Sequence, residues 1–170
     1  MSVQTEIERK FIIEKPSLEA LAQFEGYSAS EILQIYLENT ERGATHRIRR
    51  RAFLGGAVEF TENTKERIDR MSVIEREESI SEERFYALAK KIDKRTRPLK
   101  KCRYTVPFGG RTLEIDVYPE WEKSCILEIE LQGREDGYEL PDFIQVIKEV
   151  TGDKRYSNHS MSVIFPEEII

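Results

Sequence analysis

Glu6-Ile7-Glu8-Arg9-Lys10-Phe11-Ile12-Ile13 reads as a strand with one ionic face. Side chains two residues apart on a strand share a face, so Glu6, Glu8 and Lys10 point one way while Ile7, Phe11 and Ile13 point the other. The pattern returns along the chain with changing sign, at Arg47/Arg49, Glu75/Glu77, Lys101/Arg103, Glu114/Asp116 and Glu128/Glu130. Exposed faces usually mix signs. Same-sign pairs on single strands point instead to a shared polar cavity.

The rest of the chain divides into short elements. Residues 5–13 form the first strand, and Pro16 opens a short helix that Gly26 ends. Ile32–Glu38, Thr45–Arg51, Val58–Thr64 and Ile74–Ile80 read as strands, joined at Glu41-Arg42-Gly43, at Gly55-Gly56 and by a charged connection over 66–72. Ser81 starts a helix whose apolar stripe is Phe85, Leu88, Ala89 and Ile92. Leu99–Val106, Thr112–Tyr118 and Ile126–Gln132 are three more strands, the first two joined by Gly109-Gly110. The spacing of Phe143, Val146, Ile147 and Val150 predicts a second clear helix over Pro141–Val150, stopped by Gly152. Tyr156–Phe165 is expected to be a short helix or an extended cover.

These elements predict a mainly β protein of the α+β class. About eight strands with short turns favour antiparallel pairing and closure into an eight-stranded barrel. The helices need apolar sheet surface, and each strand offers only one apolar face. They therefore cover the outside of the barrel, and the charged faces turn inward. A dry interior cannot hold so many ions, because each costs several kcal/mol to desolvate. The expected interior is a wet tunnel for a charged ligand. Carboxylates suit Mg²⁺ or Mn²⁺, and Arg and Lys suit phosphate oxygens, so a polyphosphate with its divalent cations fits both signs.

Length and composition frame this reading. The chain has 170 residues, read as one domain over 1–170, and 35% of them are charged. The net charge of −5 argues against general nucleic-acid binding. No stretch is long and apolar enough to span a bilayer and no signal peptide is visible, so a cytoplasmic protein with no membrane partner is expected. Cys102 and Cys125 make no disulfide framework. The oligomeric state is left open.

The ordered motifs resemble the CYTH superfamily, the triphosphate tunnel metalloenzymes. Glu6, Glu8 and Lys10 match its Glu-x-Glu-x-Lys signature. Arg47-Ile48-Arg49, Lys65, Glu75-Arg76-Glu77, Lys101-Cys102-Arg103-Tyr104, Glu114-Ile115-Asp116, Glu128-Ile129-Glu130 and Asp153-Lys154-Arg155-Tyr156-Ser157-Asn158 follow in the family's order. One departure stands out. Val73 occupies a position where the family often has Arg, and Arg67 or Arg70 are candidates to replace it.

The resemblance implies a metal-dependent triphosphatase acting on inorganic triphosphate or a small organic triphosphate. Lys10, Arg47, Arg49, Lys65, Lys101 and Arg103 are assigned to phosphate oxygens. Arg155 is added to them, with plain surface charge as its alternative, as for Lys154. Glu6, Glu8, Glu128 and Glu130 are assigned to Mg²⁺ or Mn²⁺, with Glu75, Glu77 and Asp116 as further candidates. Lys10, Lys101 and Asp116 are the candidate catalytic groups. No residue is an obvious general base: His46 has the wrong parity and His159 lies in the tail. The alternatives are a class IV-type adenylyl cyclase, a thiamine triphosphatase using Trp121 at the tunnel mouth, and a non-catalytic polyphosphate-binding module.

Overall fold

A computed structural model describes residues 2–39 and 44–170. Nine strands run in order as β1 (Ser2–Glu14), β2 (Ser28–Tyr36), β3 (Ala44–Phe53), β4 (Val58–Arg67), β5 (Ser72–Ser79), β6 (Leu99–Phe108), β7 (Arg111–Val117), β8 (Ser124–Leu131) and β9 (Val146–Glu149). The helices are α1 (Leu18–Leu21), α2 (Glu82–Ala89) and α3 (Asn158–Val163), with a 3-10 turn at Lys154–Tyr156 before α3. The Glu41-Arg42-Gly43 turn lies outside the described residues.

Eight strands close into an antiparallel barrel in the order β5-β4-β3-β2-β6-β7-β8-β1, with β1 paired back to β5. Closure rests on the length of β1. Its first half, Ser2–Ile7, pairs with β5, and its second half, Ile7–Glu14, pairs with β8 on the opposite edge. Ile7 pairs on both edges at once, with Ser72 and with Leu131.

The predicted parity holds. Odd-numbered Phe11 and Ile13 join Leu113, Ile115, Leu127 and Ile129 in an outer core, against which Phe24, Tyr138 and Ile144 pack. On the other side, α2 lays Phe85 over Ile35, Leu37 and Ile48. Ser81 caps α2 as expected, its Oγ accepting the Arg84 N–H at 3.1 Å. Each buried large apolar side chain contributes about 1.5–3 kcal/mol, so these two outer layers hold the barrel shut.

The predicted helix over Pro141–Val150 is not formed. Val146–Glu149 is instead β9, paired with Phe11–Ile13 of β1 across a bulge. The reason lies in β1. Because β5 stops at Ile7, the second half of that edge would expose unpaired backbone groups, and β9 covers them. The supposed apolar stripe is split: Phe143 and Val146 are exposed, whereas Val150 is buried in the core with Ile147 packed against it. Gly152 is no helix stop. It takes φ +73°, and a Cβ there would lie 2.1 Å from Cγ of Arg70. Several boundaries also move: β1 starts at Ser2, β2 starts at Ser28, and β4 runs on to Arg67 and β5 starts at Ser72 within the expected charged connection.

One end of the barrel is filled by an apolar plug, formed where the tail turns into α3 as expected. Ile12, Leu99 and Ile126 pack there with Tyr118, Trp121, Tyr156 and Met161. Trp121 is buried, donates its indole N–H to the Pro166 carbonyl at 3.0 Å, and meets the Phe165 ring edge-on at 5.4 Å. Among the described residues, no helix is long and apolar enough to cross a membrane. Truncating the plug residue Trp121→Ala is expected to cost about 3–5 kcal/mol in urea unfolding. An unchanged midpoint would show that the plug is not part of the cooperative unit.

Candidate active site in a charge-divided cavity

Above the plug the barrel encloses a cavity of about 620 Å³. Alternation along the strands delivers charge to it: Arg47, Arg49 and Arg51 enter from β3, and Glu6, Glu8 and Lys10 from β1. All of the sequence-predicted site residues line this cavity except Lys101, Asp116 and Arg155.

The β3 wall carries positive charge that acidic groups balance only in part. Arg49 donates from Nε and Nη2 to the neutral Gln34 Oε1, at 3.2 and 2.8 Å. Burial, reinforced by Arg47 and Arg103, pushes its guanidinium down to about 9. Arg51 donates to Ser30 Oγ at 2.9 Å, and burial with the Arg103 charge pushes it down too. Arg47 reaches Glu75 Oε1 at 3.5 Å, yet its buried Nε has no partner, and neither has Nε2 of Gln34. Buried donors without acceptors are costly and uncommon. The Arg47 side chain itself lines the cavity.

The opposite wall crowds carboxylates. Burial pushes Glu6 up to about 8, helped by its hydrogen bond with Glu75. Burial and the Glu128 charge raise Glu8, and burial and Glu114 raise Glu130. These three favour a cation that would relieve them. Glu75 and Glu128 move the other way. Burial alone would raise Glu75, but its bond with Glu6 and the charges of Lys65 and Arg47 bring it to about 2. Glu128 sits 3.3 Å from Lys10 Nζ and 3.7 Å from Arg103 Nη2, and these cations outweigh burial and hold it well below its usual range. Asn63 Nδ2 bonds both Glu75 and Glu77. Lys65 Nζ lies 3.2 Å from Glu6 Oε2.

Hard carboxylate oxygens under mutual repulsion fit a divalent cation. Among the described residues, no three Asp, Glu, His or Cys side chains converge as a ready-made cage.

Lys101 and Asp116 are fully buried behind the cavity wall rather than in it. Lys101 Nζ is 2.6 Å from Asp116 Oδ2, and Arg103 clasps the same carboxylate through Nε and Nη2 at 2.7 and 2.8 Å. Arg103 Nη1 also bonds Glu114. Burial pushes the Lys101 amine down to about 7, against the pull of Asp116. The geometry makes this pair a support for Arg103.

Arg155 is solvent-exposed and bonded to Asp153 at 3.1 and 2.7 Å, whereas its neighbour Lys154 lines the cavity. Trp121 sits in the plug, away from any mouth. Arg67 lies opposite Val73 in register and lines the cavity, so it stands where the substituting cation was sought. Sequence reasoning passed over Arg51, although it continues the parity of Arg47 and Arg49. It also passed over Gln34 and Asn63, whose neutral amides carry no charge signal. Asp116→Ala would leave Lys101 and Arg103 without their shared carboxylate and is expected to cost about 3–5 kcal/mol. Chemical denaturation checks this, and a loss below that of an ordinary surface change would refute the supporting role.

No protein-family model matches the chain, and no curated protein does. Solved structures do. The inorganic triphosphatase NE1496 is 24% identical, with TM-score 0.60 over 95% of this chain and 97% of that one. The PH1819 protein from Pyrococcus horikoshii OT3 is 21% identical, with TM-score 0.57 over 76% and 79% of the two chains. An adenylyl-cyclase-like protein from Hippeastrum, described as having a dominant triphosphatase activity, is 15% identical, with TM-score 0.50 over 76% and 81%. The chain therefore shares the closed eight-stranded barrel fold of these solved structures.

Proposed function

We propose that the chain is a triphosphatase that hydrolyses inorganic triphosphate or a small organic triphosphate with Mg²⁺ or Mn²⁺. The observation that carries this reading is the division of charge in one cavity. Partly unanswered guanidinium groups of Arg47, Arg49 and Arg51 face carboxylates of Glu6, Glu8 and Glu130 that burial and mutual repulsion have raised. A polyanion alone would answer one wall and a cation alone the other. A metal-bound triphosphate answers both. Two proteins of the same fold, NE1496 and the Hippeastrum protein, are described as triphosphatases, which supports the choice.

Glu6, Glu8 and Glu130 would hold the divalent ion, with Glu75, Glu77 and Glu128 as further candidates. When bound, the ion supplies Lewis acidity and lowers the pKa of water. The chain's own part is positioning and charge. Lys10, Arg47, Arg49 and Lys65 bind phosphoryl oxygens, each contact giving roughly 4 kcal/mol at 4 Å and an effective dielectric near 20, before desolvation. Arg49 is held by a neutral amide and so keeps its full charge for the phosphate. As water attacks the terminal phosphorus and the bridging bond breaks, negative charge gathers on the leaving diphosphate. Preorganised guanidinium donors stabilise it without moving. Arg103, already clasped by Asp116, adds to the field from below. The acidic wall has no use in a simple polyphosphate-binding module. The thiamine alternative loses its anchor with Trp121 inside the plug.

Released phosphate and cyclic AMP should be measured with inorganic triphosphate, ATP or thiamine triphosphate, each with Mg²⁺, Mn²⁺ or EDTA. Expected is metal-dependent phosphate release from a triphosphate, abolished by EDTA and by Glu8→Ala. Arg49→Gln should lower kcat by about 10²–10³-fold, the cost of one preorganised donor. Cyclic AMP with diphosphate would move the chain to the cyclase class. Binding without turnover would leave a polyphosphate-binding module.

A further inference from the structure

The two histidines, both set aside on sequence grounds, have different surroundings. His46 faces outward, its Nε2 2.8 Å from Glu62 Oε1, and Glu62 is also held by Arg84. His159 lies on α3, half-buried, and lines the cavity. Met161, two residues on, is fully buried in the plug. Two residues span about 200° of a helix, so seating Met161 in the plug turns His159 toward the barrel interior.

Several contacts fix the imidazole there. Its ring meets Tyr36 edge-on, with centroids 4.9 Å apart. Tyr36 pairs with Arg47 across β2 and β3, which sets His159 at the level of the guanidinium wall. Tyr118 donates to Asn158 Oδ1 at 2.7 Å, and the Arg97 N–H to the Ser162 carbonyl at 2.9 Å, so α3 is tied at both ends. Among the described residues, no group hydrogen-bonds to either ring nitrogen of His159. The charges that face it are Asp93 and Arg95, which are bonded to each other, and Lys154 lines the same cavity.

Hydrolysis must move a proton off water. Glu75 and Glu128 are engaged by cations, and Glu6, Glu8 and Glu130 are the candidate metal ligands. We propose that His159 is the proton acceptor of the reaction. Its free ring nitrogen takes the proton of the attacking water as the water oxygen bonds to the terminal phosphorus. The bridging P–O bond breaks, and its electron pair leaves on diphosphate. Burial lowers the imidazole pKa, against the pull of Asp93, so the ring is neutral at pH 7 and ready to accept. The inference rests on the triphosphatase reading above.

The test is the pH profile of triphosphate hydrolysis with Mg²⁺ for the intact chain and for His159→Gln, with thermal unfolding as a folding check. Expected is a fall in kcat of about 10²-fold or more with KM unchanged, and loss of the acid limb below the ordinary imidazole range. A second measurement needs no turnover. Imidazole ¹⁵N resonances of the intact chain are followed as inorganic triphosphate is added with EDTA, and His159 should shift while His46 should not. An active chain whose His159→Gln variant keeps kcat and its acid limb overturns the proposal alone, as does an unmoved His159 resonance. A chain that hydrolyses no triphosphate overturns the underlying reading and this one with it.

Discussion

Everything in this fold depends on one strand serving two edges. At Ile7, β1 pairs with β5 on one side and β8 on the other, and the sheet becomes a barrel there. Closure removes the exposed edges that an open sheet of this length would present. It also forces the alternation of side chains into an inside and an outside. The ionic face has nowhere to go but inward, and the apolar face must be covered by α1, α2 and the segment leading to β9. Most of the site thus follows from how the barrel shuts, with the tail from Lys154 to Ser160 completing the lining.

The interior tolerates its charges in two different ways. Deep in the wall, Asp116 answers Lys101 and Arg103 directly at 2.6–2.8 Å, so the ions are paired and dry. In the cavity proper, pairing is incomplete: Arg49 leans on an amide, and Glu8 stays raised by burial and the Glu128 charge although Lys10 and Lys65 pull the other way. Paired ions give rigidity and unpaired ones give affinity for an outside ion. The boundary between the two regimes runs through Arg103, which touches Asp116 on one side and the cavity on the other.

The cavity was largely legible in the sequence because period-two spacing is geometry. Once Glu6, Glu8 and Lys10 share a face, the orientation of Arg47, Glu75 and Glu128 follows from parity alone. Parity does not report depth. It put Lys101 and Asp116 among the site residues, and only the packing of Tyr118 and the plug shows that they lie behind it. β9 was misread because Phe143, Val146, Ile147 and Val150 repeat at helical spacing, while the open edge of β1 that recruits them is 130 residues away. His159 was passed over for the same reason. Its place comes from Met161 docking in the plug, which no local pattern announces.

The backbone of Lys10 has an unusual partner. Its N–H donates to Thr151 Oγ1 at 2.9 Å, and its carbonyl accepts the Val150 N–H at 2.8 Å. Its side chain reaches the Tyr156 carbonyl at 3.2 Å. The middle of β1 is therefore completed by residues made some 140 positions later. Such long separations slow folding, because chain entropy must be lost before the contacts form. During synthesis the strand that emerges early must wait, with Ile7, Phe11, Ile12 and Ile13 uncovered, until β8, β9 and the plug have left the ribosome. The waiting strand holds an apolar run between charged neighbours, Glu6, Glu8, Arg9 and Lys10 on one side and Glu14 and Lys15 on the other. Flanking charges of that kind keep a nascent strand from pairing with the wrong chain. The ions that equip the cavity thus also guard its longest strand before the cavity exists.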